Sequence, residues 1–225
     1  MEITVPHLKN NADVAIGELW NELIDLPRQA LKNDSWPAIA SQCRADFVIA
    51  YTGQYILVMF FIENDHFNSI RRPVNGDVHL DNCVEFFISF DQSDKYYNIE
   101  FNALGNGKVA YGQNNGQRLM LDESIVRNIK TKIESTQVAG SFNWTMLMKI
   151  PAAVFIHHQI ESFSGMQVNA NFYKCGDQLP DPHYLCWSRI DVPAPDFHQP
   201  KFFGKVEFAK ETTLFLQMDT FNEKK

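Results

Sequence analysis

Short runs of apolar residues, either alternating with polar ones or continuous, recur along the chain and are separated by clusters of Gly, Asn, Asp and Pro. That rhythm predicts strands and turns. Phe47-Val48-Ile49-Ala50-Tyr51, then Thr52-Gly53-Gln54, then the unbroken apolar run from Tyr55 to Ile62 reads as a hairpin whose second strand is buried on both faces. Further strands are expected over 84–90, 96–103, 108–111, 128–135, 144–150, 166–173, 184–188 and 205–208. Many short strands at turn-separated intervals predict an all-β fold, an antiparallel β-sandwich of jelly-roll-like form. Only 13–31 breaks the pattern. Val14, Leu19, Leu23 and Ile24 fall at helical spacing ahead of Pro27, predicting a short helix packed at one end of the sandwich. A second helical turn is expected over 152–158, with Pro151 at its start.

Alternation also assigns faces. Val84, Phe86, Ile88 and Phe90 share one side of their strand, leaving Glu85, Phe87 and Ser89 on the other. In the next strand Tyr97, Ile99, Phe101 and Ala103 face the core, so Asn98, Glu100 and Asn102 point away from it. If the two strands form a hairpin around Asp91-Gln92-Ser93-Asp94, a slip of one residue would expose a whole apolar set. Glu85 therefore lies opposite or diagonal to Glu100 and Asn102. A second polar row, Gln167, Asn169 and Asn171, alternates with Met166, Val168, Ala170 and Phe172. Amides offer donor and acceptor together, which suits hydroxyl-rich ligands.

Two carboxylates on one sheet face repel unless something uses them. They could be the acid and nucleophile of a retaining glycosidase, or help hold a hard cation such as calcium. They could also accept hydrogen bonds from sugar hydroxyls beside a cation such as Arg118. Plain solvation of an exposed face is the remaining reading.

Composition narrows the field. A chain of 225 residues is long enough for one sizeable core, and a single domain with its core over about 36–208 is the expectation. The net charge of -7, with no basic run, argues against a nucleic acid partner. No apolar stretch is long enough for a membrane-spanning helix. The four cysteines, Cys43, Cys83, Cys175 and Cys186, form no CxxC pair and read as core thiols. His66, His79, His157, His158, His183 and His198 make no zinc-ligand spacing, and GxSxG, P-loop and Rossmann motifs are absent. Gly105-Asn106-Gly107 and Asn115-Gly116 are turn signals, and the last residues, Glu223-Lys224-Lys225, are expected to fray.

Several anchors, in order, resemble the family 9-like carbohydrate-binding modules of polysaccharide-degrading bacteria. Asp81-Asn82-Cys83-Val84-Glu85-Phe86-Phe87-Ile88 is similar to the family's Asp-Ser-Val-Glu-hydrophobic strand, and Tyr96-Tyr97-Asn98-Ile99-Glu100-Phe101-Asn102 to the strand after it. The segments 171–177, 183–187 and 195–204 resemble the closing half of the domain. The resemblance implies a β-sandwich that holds a sugar between two aromatic rings. Phe197 stands where one clamp tryptophan belongs, Glu85 matches an acidic hydrogen-bonding position, and Asn171 matches a family amide. Where the second tryptophan is expected, this chain has Val78-His79-Leu80, leaving His79 to serve in its place, and Glu100 sits near a position that is basic in family members.

The expected function is thus non-catalytic recognition of a mono- or oligosaccharide. Phe197 would act as stacking platform on a Pro-flanked loop, and Glu85, Glu100, Asn102, Asn171, Arg118 and His79 as polar partners. A glycoside hydrolase using Glu85 and Glu100, or a protein-interaction module, are the alternatives. Members of the family can bind structural calcium, although no dense Asp cluster marks a site for it here, and the resemblance implies a periplasmic or extracellular setting. Against that setting, Met1-Glu2-Ile3-Thr4-Val5-Pro6 lacks the basic start and apolar core of a secretory signal.

Overall fold

The computed structural model describes residues 1–9, 14–32, 34–39, 41–91, 93–113 and 118–211. Asp13, the Asn115-Gly116 turn and the C-terminal Glu223-Lys224-Lys225 lie outside them. In chain order the elements are β1 (Glu2–Val5), α1 (Ile16–Leu23), β2 (Gln29–Leu31), β3 (Arg44–Thr52), β4 (Tyr55–Asp65), β5 (Cys83–Ser89), β6 (Tyr96–Asn102), β7 (Gly107–Gly112) and β8 (Leu119–Met120). They continue with α2 (Glu123–Val126), β9 (Lys130–Val138), β10 (Ser141–Pro151), β11 (Gln167–Cys175), β12 (Tyr184–Cys186) and β13 (Gly204–Phe208). One sheet runs β1-β13-β11-β5-β6-β7-β8, with β12 also paired to β11, and the other runs β2-β3-β4-β10-β9. Pairing is antiparallel except between β1 and β13. The expected sandwich is therefore present. The short edge strands β1, β2 and β8 carry too few residues to show a period.

Between the sheets the inward rows interlock as aromatic stacks. Phe172 lies between Phe47 and Phe86, with ring centroids 3.8 and 5.0 Å away. The β3–β4 hairpin that supplies Phe47 and Phe60 pairs Thr52 with Tyr55, and Gly53 turns the chain at φ 44°, a region that costs other residues energy. The apolar run of β4 is buried on both faces, as expected. Its second face explains where α1 goes. Val48, Leu57, Met59 and Leu147 point away from the main core and are covered by Leu19, Trp20 and Leu23 of α1. The helix thus lies on the outer face of the five-stranded sheet and not at an end of the sandwich, because that face is too apolar to leave in water. The turn after Pro151 is a single 3₁₀ turn, Ala152–Val154.

A buried ion pair sits inside the sandwich. Lys174, on the inward row of β11, is fully buried, its Nζ 3.1 Å from Asp65 and 2.8 Å from His183 Nε2. Asp65 also accepts from Trp144 Nε1 at 3.0 Å and Asn82 Nδ2 at 2.8 Å. Burial alone would push Asp65 toward its neutral form, but Lys174 and these donors hold its pKa below the usual carboxylate range. His183 is pushed down to about 4 by burial and by Lys174, so it is neutral and free to accept at Nε2. Lys174→Met would leave the Asp65 carboxylate buried without its cation and is expected to cost about 3 to 5 kcal/mol. Chemical denaturation measures this, and Asp65→Asn added to Lys174→Met should recover part of the loss.

Candidate functional site

The register between β5 and β6 places Glu85 directly opposite Glu100, and the next ladders extend that row at both ends. Tyr173 of β11 pairs with Glu85, and Lys108 of β7 pairs with Glu100. A single line of outward side chains, Tyr173-Glu85-Glu100-Lys108, therefore crosses four strands. Burial of Val84, Phe86, Ile88, Tyr97, Ile99 and Phe101 on the opposite face selects this register, with Phe90 only partly buried at the strand end.

This outer face is not open to water. Phe87, Tyr96, Tyr173, Cys83 and Cys175 form a second small core with Trp36, Ile190 and Phe197, the last two carried on the 190–203 segment that folds back over the sheet. Glu85 and Glu100 are each only 3% exposed. Between the row and the covering segment lies a pocket of about 290 Å³, lined by His79, Glu85, Glu100, Lys108, Arg118, Cys175, Asp177, Tyr184 and the Pro195–His198 stretch.

Phe197 is not freely offered. It stacks on Tyr173 at 4.2 Å between centroids, packs against Trp36 and Tyr184, and retains 8% exposure at the pocket wall. A platform whose removal spares folding does not fit this packing, because the ring also closes the small core. Arg118 donates to the Tyr96 hydroxyl at 3.1 Å and to the ring of His198. His198 stacks on Phe87 at 5.1 Å. Burial and the adjacent guanidinium push His198 down to about 3, so the imidazole is neutral.

The two carboxyls differ in their surroundings. Glu100 accepts from Asn98 Nδ2, and its Oε2 lies 3.7 Å from Lys108 Nζ, beyond hydrogen-bond reach, leaving that oxygen without a hydrogen-bond partner. Glu85 accepts from the Cys175 thiol at 3.1 Å. Burial raises both pKa values, and the charge of Glu100 raises that of Glu85 further, whereas Lys108 and His79 counteract the rise at Glu100. Burial and mutual repulsion therefore hold both carboxyls above the ordinary carboxylate range, Glu85 the further of the two.

The structure thus brings Glu85, Glu100, Arg118, His79 and Phe197 into one pocket. It does not bring Asn102 and Asn171 there. Asn102 donates to Asp81 and to the Ile70 carbonyl and accepts from the amides of Leu104 and Asn106. Asn171 bonds both the carbonyl and the amide of Ser188. Each amide fastens backbone: Asn102 spends all its donors and acceptors there, and Asn171 is fully buried outside the pocket lining. Lys108, Cys175, Asp177, Tyr184, Pro195, Asp196 and His198 complete the lining and were not among the expected site residues. His198 and Asp196 flank Phe197 in the Pro195–Pro200 stretch, which is signal enough to have found them, whereas nothing local marks Asp177. Clusters of three potential metal ligands among the described residues each include a cysteine, so neither has the all-oxygen donor set that suits calcium.

Two measurements test the pocket. A raised folded pKa means that Glu85 contributes stability fully below its unfolded value near 4.5 and loses that contribution as pH rises through the folded value. Glu85→Gln is therefore expected to raise the melting temperature at neutral pH and to flatten its fall from acid to neutral pH, read by thermal melts. Phe197→Ala should cost about 3 kcal/mol, the low end for a buried ring, in the same denaturation assay.

Comparisons with known proteins agree with this architecture. No curated protein matches the chain. A solved structure from Bacteroides uniformis, described as a suggested carbohydrate-binding protein, superposes with a TM-score of 0.85 at 31% identity, over 92% of this chain and 98% of that one. A family 9 carbohydrate-binding module from Caldicellulosiruptor kristjanssonii, in complex with cellotriose, gives 0.56 at 12% identity over 95% and 96% of the two chains. The same kind of module in complex with glucose gives 0.56 at 12% over 95% and 98%. At that identity the two module structures speak to the fold alone. The family model described as carbohydrate-binding family 9 matches residues 19–208, and the chain belongs to that family.

Proposed function

We propose that this member of carbohydrate-binding family 9 holds a mono- or oligosaccharide, without cleaving it, in the pocket over the Tyr173-Glu85-Glu100-Lys108 row. The observation that carries the proposal is a cavity walled by Phe197 and Tyr184 and lined by Glu100, whose buried Oε2 has no hydrogen-bond partner. A pyranose has a face of C–H groups that gains dispersion contact from an aromatic wall, and a rim of hydroxyls that needs acceptors and donors. Glu100 supplies the acceptor, Arg118 and Lys108 supply cationic donors, and Asp177 and His79 line the remaining rim. A cavity of about 290 Å³ suits one or two sugar rings and leaves a longer chain to extend outside. The glucose and cellotriose bound by the Caldicellulosiruptor kristjanssonii modules make β-glucans the first ligands to try.

Glycosidase chemistry is less favoured by the geometry. Its two carboxyls flank the scissile bond, whereas Glu85 and Glu100 stand side by side on one sheet face.

Calorimetric titration with glucose and short β-glucans tests the proposal. Binding is expected, and Glu100→Gln or Arg118→Ala should weaken it about tenfold or more, as for loss of a charge-assisted hydrogen bond. Chromatography of the same mixtures should show no shorter sugars. Binding unaffected by either substitution would remove the pocket from the proposal, and protein-dependent product would replace binding with hydrolysis.

A further inference from the structure

Two clusters of buried metal-ligating side chains occur among the described residues, and they differ in one respect. Cys43, Asp65 and His183 already enclose a cation, because Lys174 Nζ reaches both Asp65 and His183. Cys83, Glu85 and Cys175 have their ligand atoms within 4.8 Å of one another, yet no ion pair reaches Glu85 among the described residues. Cys83 and Cys175 are direct partners across β5 and β11, and Glu85 is two residues along β5, so the pleat turns all three to the outer face. Cys175 and Glu85 line the pocket, and beside Glu85 stands the unpartnered Oε2 of Glu100.

We propose that Cys83, Glu85 and Cys175 form a binding site for a thiophilic divalent cation of the zinc class at the floor of the pocket, separate from any calcium site. Two sulfur donors select against calcium and magnesium and suit zinc or its analogue cobalt. At a tetrahedral centre with metal–sulfur bonds of about 2.3 Å the two sulfurs stand about 3.8 Å apart, so the cluster needs to contract by no more than about 1 Å. The three protein ligands leave a fourth position for water or a hydroxyl, and two of them, Glu85 and Cys175, line the pocket. Charge supports the assignment, since a cation would offset the burial of Glu100 and of an ionised Glu85, which a neutral sugar hydroxyl cannot do. Without metal these groups hold protons. Burial raises Cys83 to about 11, and the neighbouring Cys83 together with burial carries Cys175 upward as well. Metal entry therefore forms two metal–sulfur bonds and one metal–oxygen bond and releases the thiol and carboxyl protons to solvent, so uptake strengthens as pH rises.

Cobalt(II) titration of the full chain, with the thiols kept reduced by a phosphine and no sugar present, provides the test. One equivalent is expected to give a thiolate-to-cobalt charge-transfer band and the intense visible absorption of a four-coordinate centre, both bleached by zinc. Cys83→Ser and Cys175→Ser should abolish the charge-transfer band or shift it to that of a single thiolate. Glu85→Gln, which keeps the fold, should weaken uptake by more than about tenfold, and Cys43→Ser and Cys186→Ser should leave the spectrum unchanged. Absence of the band in the unaltered chain overturns the proposal, as does its survival in both Cys83→Ser and Cys175→Ser or its loss in Cys43→Ser. Because no sugar enters the assay, its outcome is independent of the carbohydrate reading.

Discussion

Every outward side chain of the central sheet is committed by the pairing of β5 with β6, since one residue of slip would exchange two cores at once. Phe86 and Ile99 would leave the interior of the sandwich, and Phe87 and Glu100 would enter it. Sheets with one solvated face fix register through a single apolar set. This one is fixed from both sides, because Phe87, Tyr96 and Tyr173 are as fully buried under the 190–203 segment as Phe86, Tyr97 and Phe172 are between the sheets. That double constraint holds two glutamates face to face in a buried row, an arrangement that on its own would be destabilising.

Both carboxyls are tolerated because their surroundings separate them. Glu100 has the cations, Lys108 across the ladder and Arg118 nearby, while Glu85 has the Cys175 thiol and the more strongly raised pKa. The same logic recurs inside the sandwich with signs reversed, where Lys174 meets Asp65 and a neutral His183. Of these two sites of buried charge, one is compensated within the chain and the other leaves a carboxylate oxygen without a hydrogen-bond partner.

What can be read from the sequence follows from how local each signal is. The alternation in 84–90 and 97–103 carries face and register in consecutive residues, so the Glu85–Glu100 pairing is legible in the two strand sequences themselves. The double-sided burial of β4 is legible from an unbroken apolar run. The position of α1 is not, because its partners Val48, Leu57 and Leu147 belong to three different strands. Asn102 and Asn171 look like ligand groups by their face alone, and only the loop backbones they hold show otherwise. The thiols are invisible as a pair because Cys83 and Cys175 stand 92 positions apart in the chain (175 − 83 = 92) and meet only through the β5–β11 ladder.

The parallel ladder of β1 with β13, Glu2 against Lys205 through Val5 against Phe208, has a mechanical consequence. Glu2 of β1 and Phe208 of β13 lie at opposite ends of this ladder, so tension applied between those two residues pulls the strands past each other along their length. All the hydrogen bonds of the ladder then carry the load together, where an antiparallel hairpin gripped at its open end would unzip one rung at a time. The pocket lies on β11, β5, β6 and β7, to one side of that line of force. Shear between β1 and β13 would therefore load their ladder without passing through the pocket.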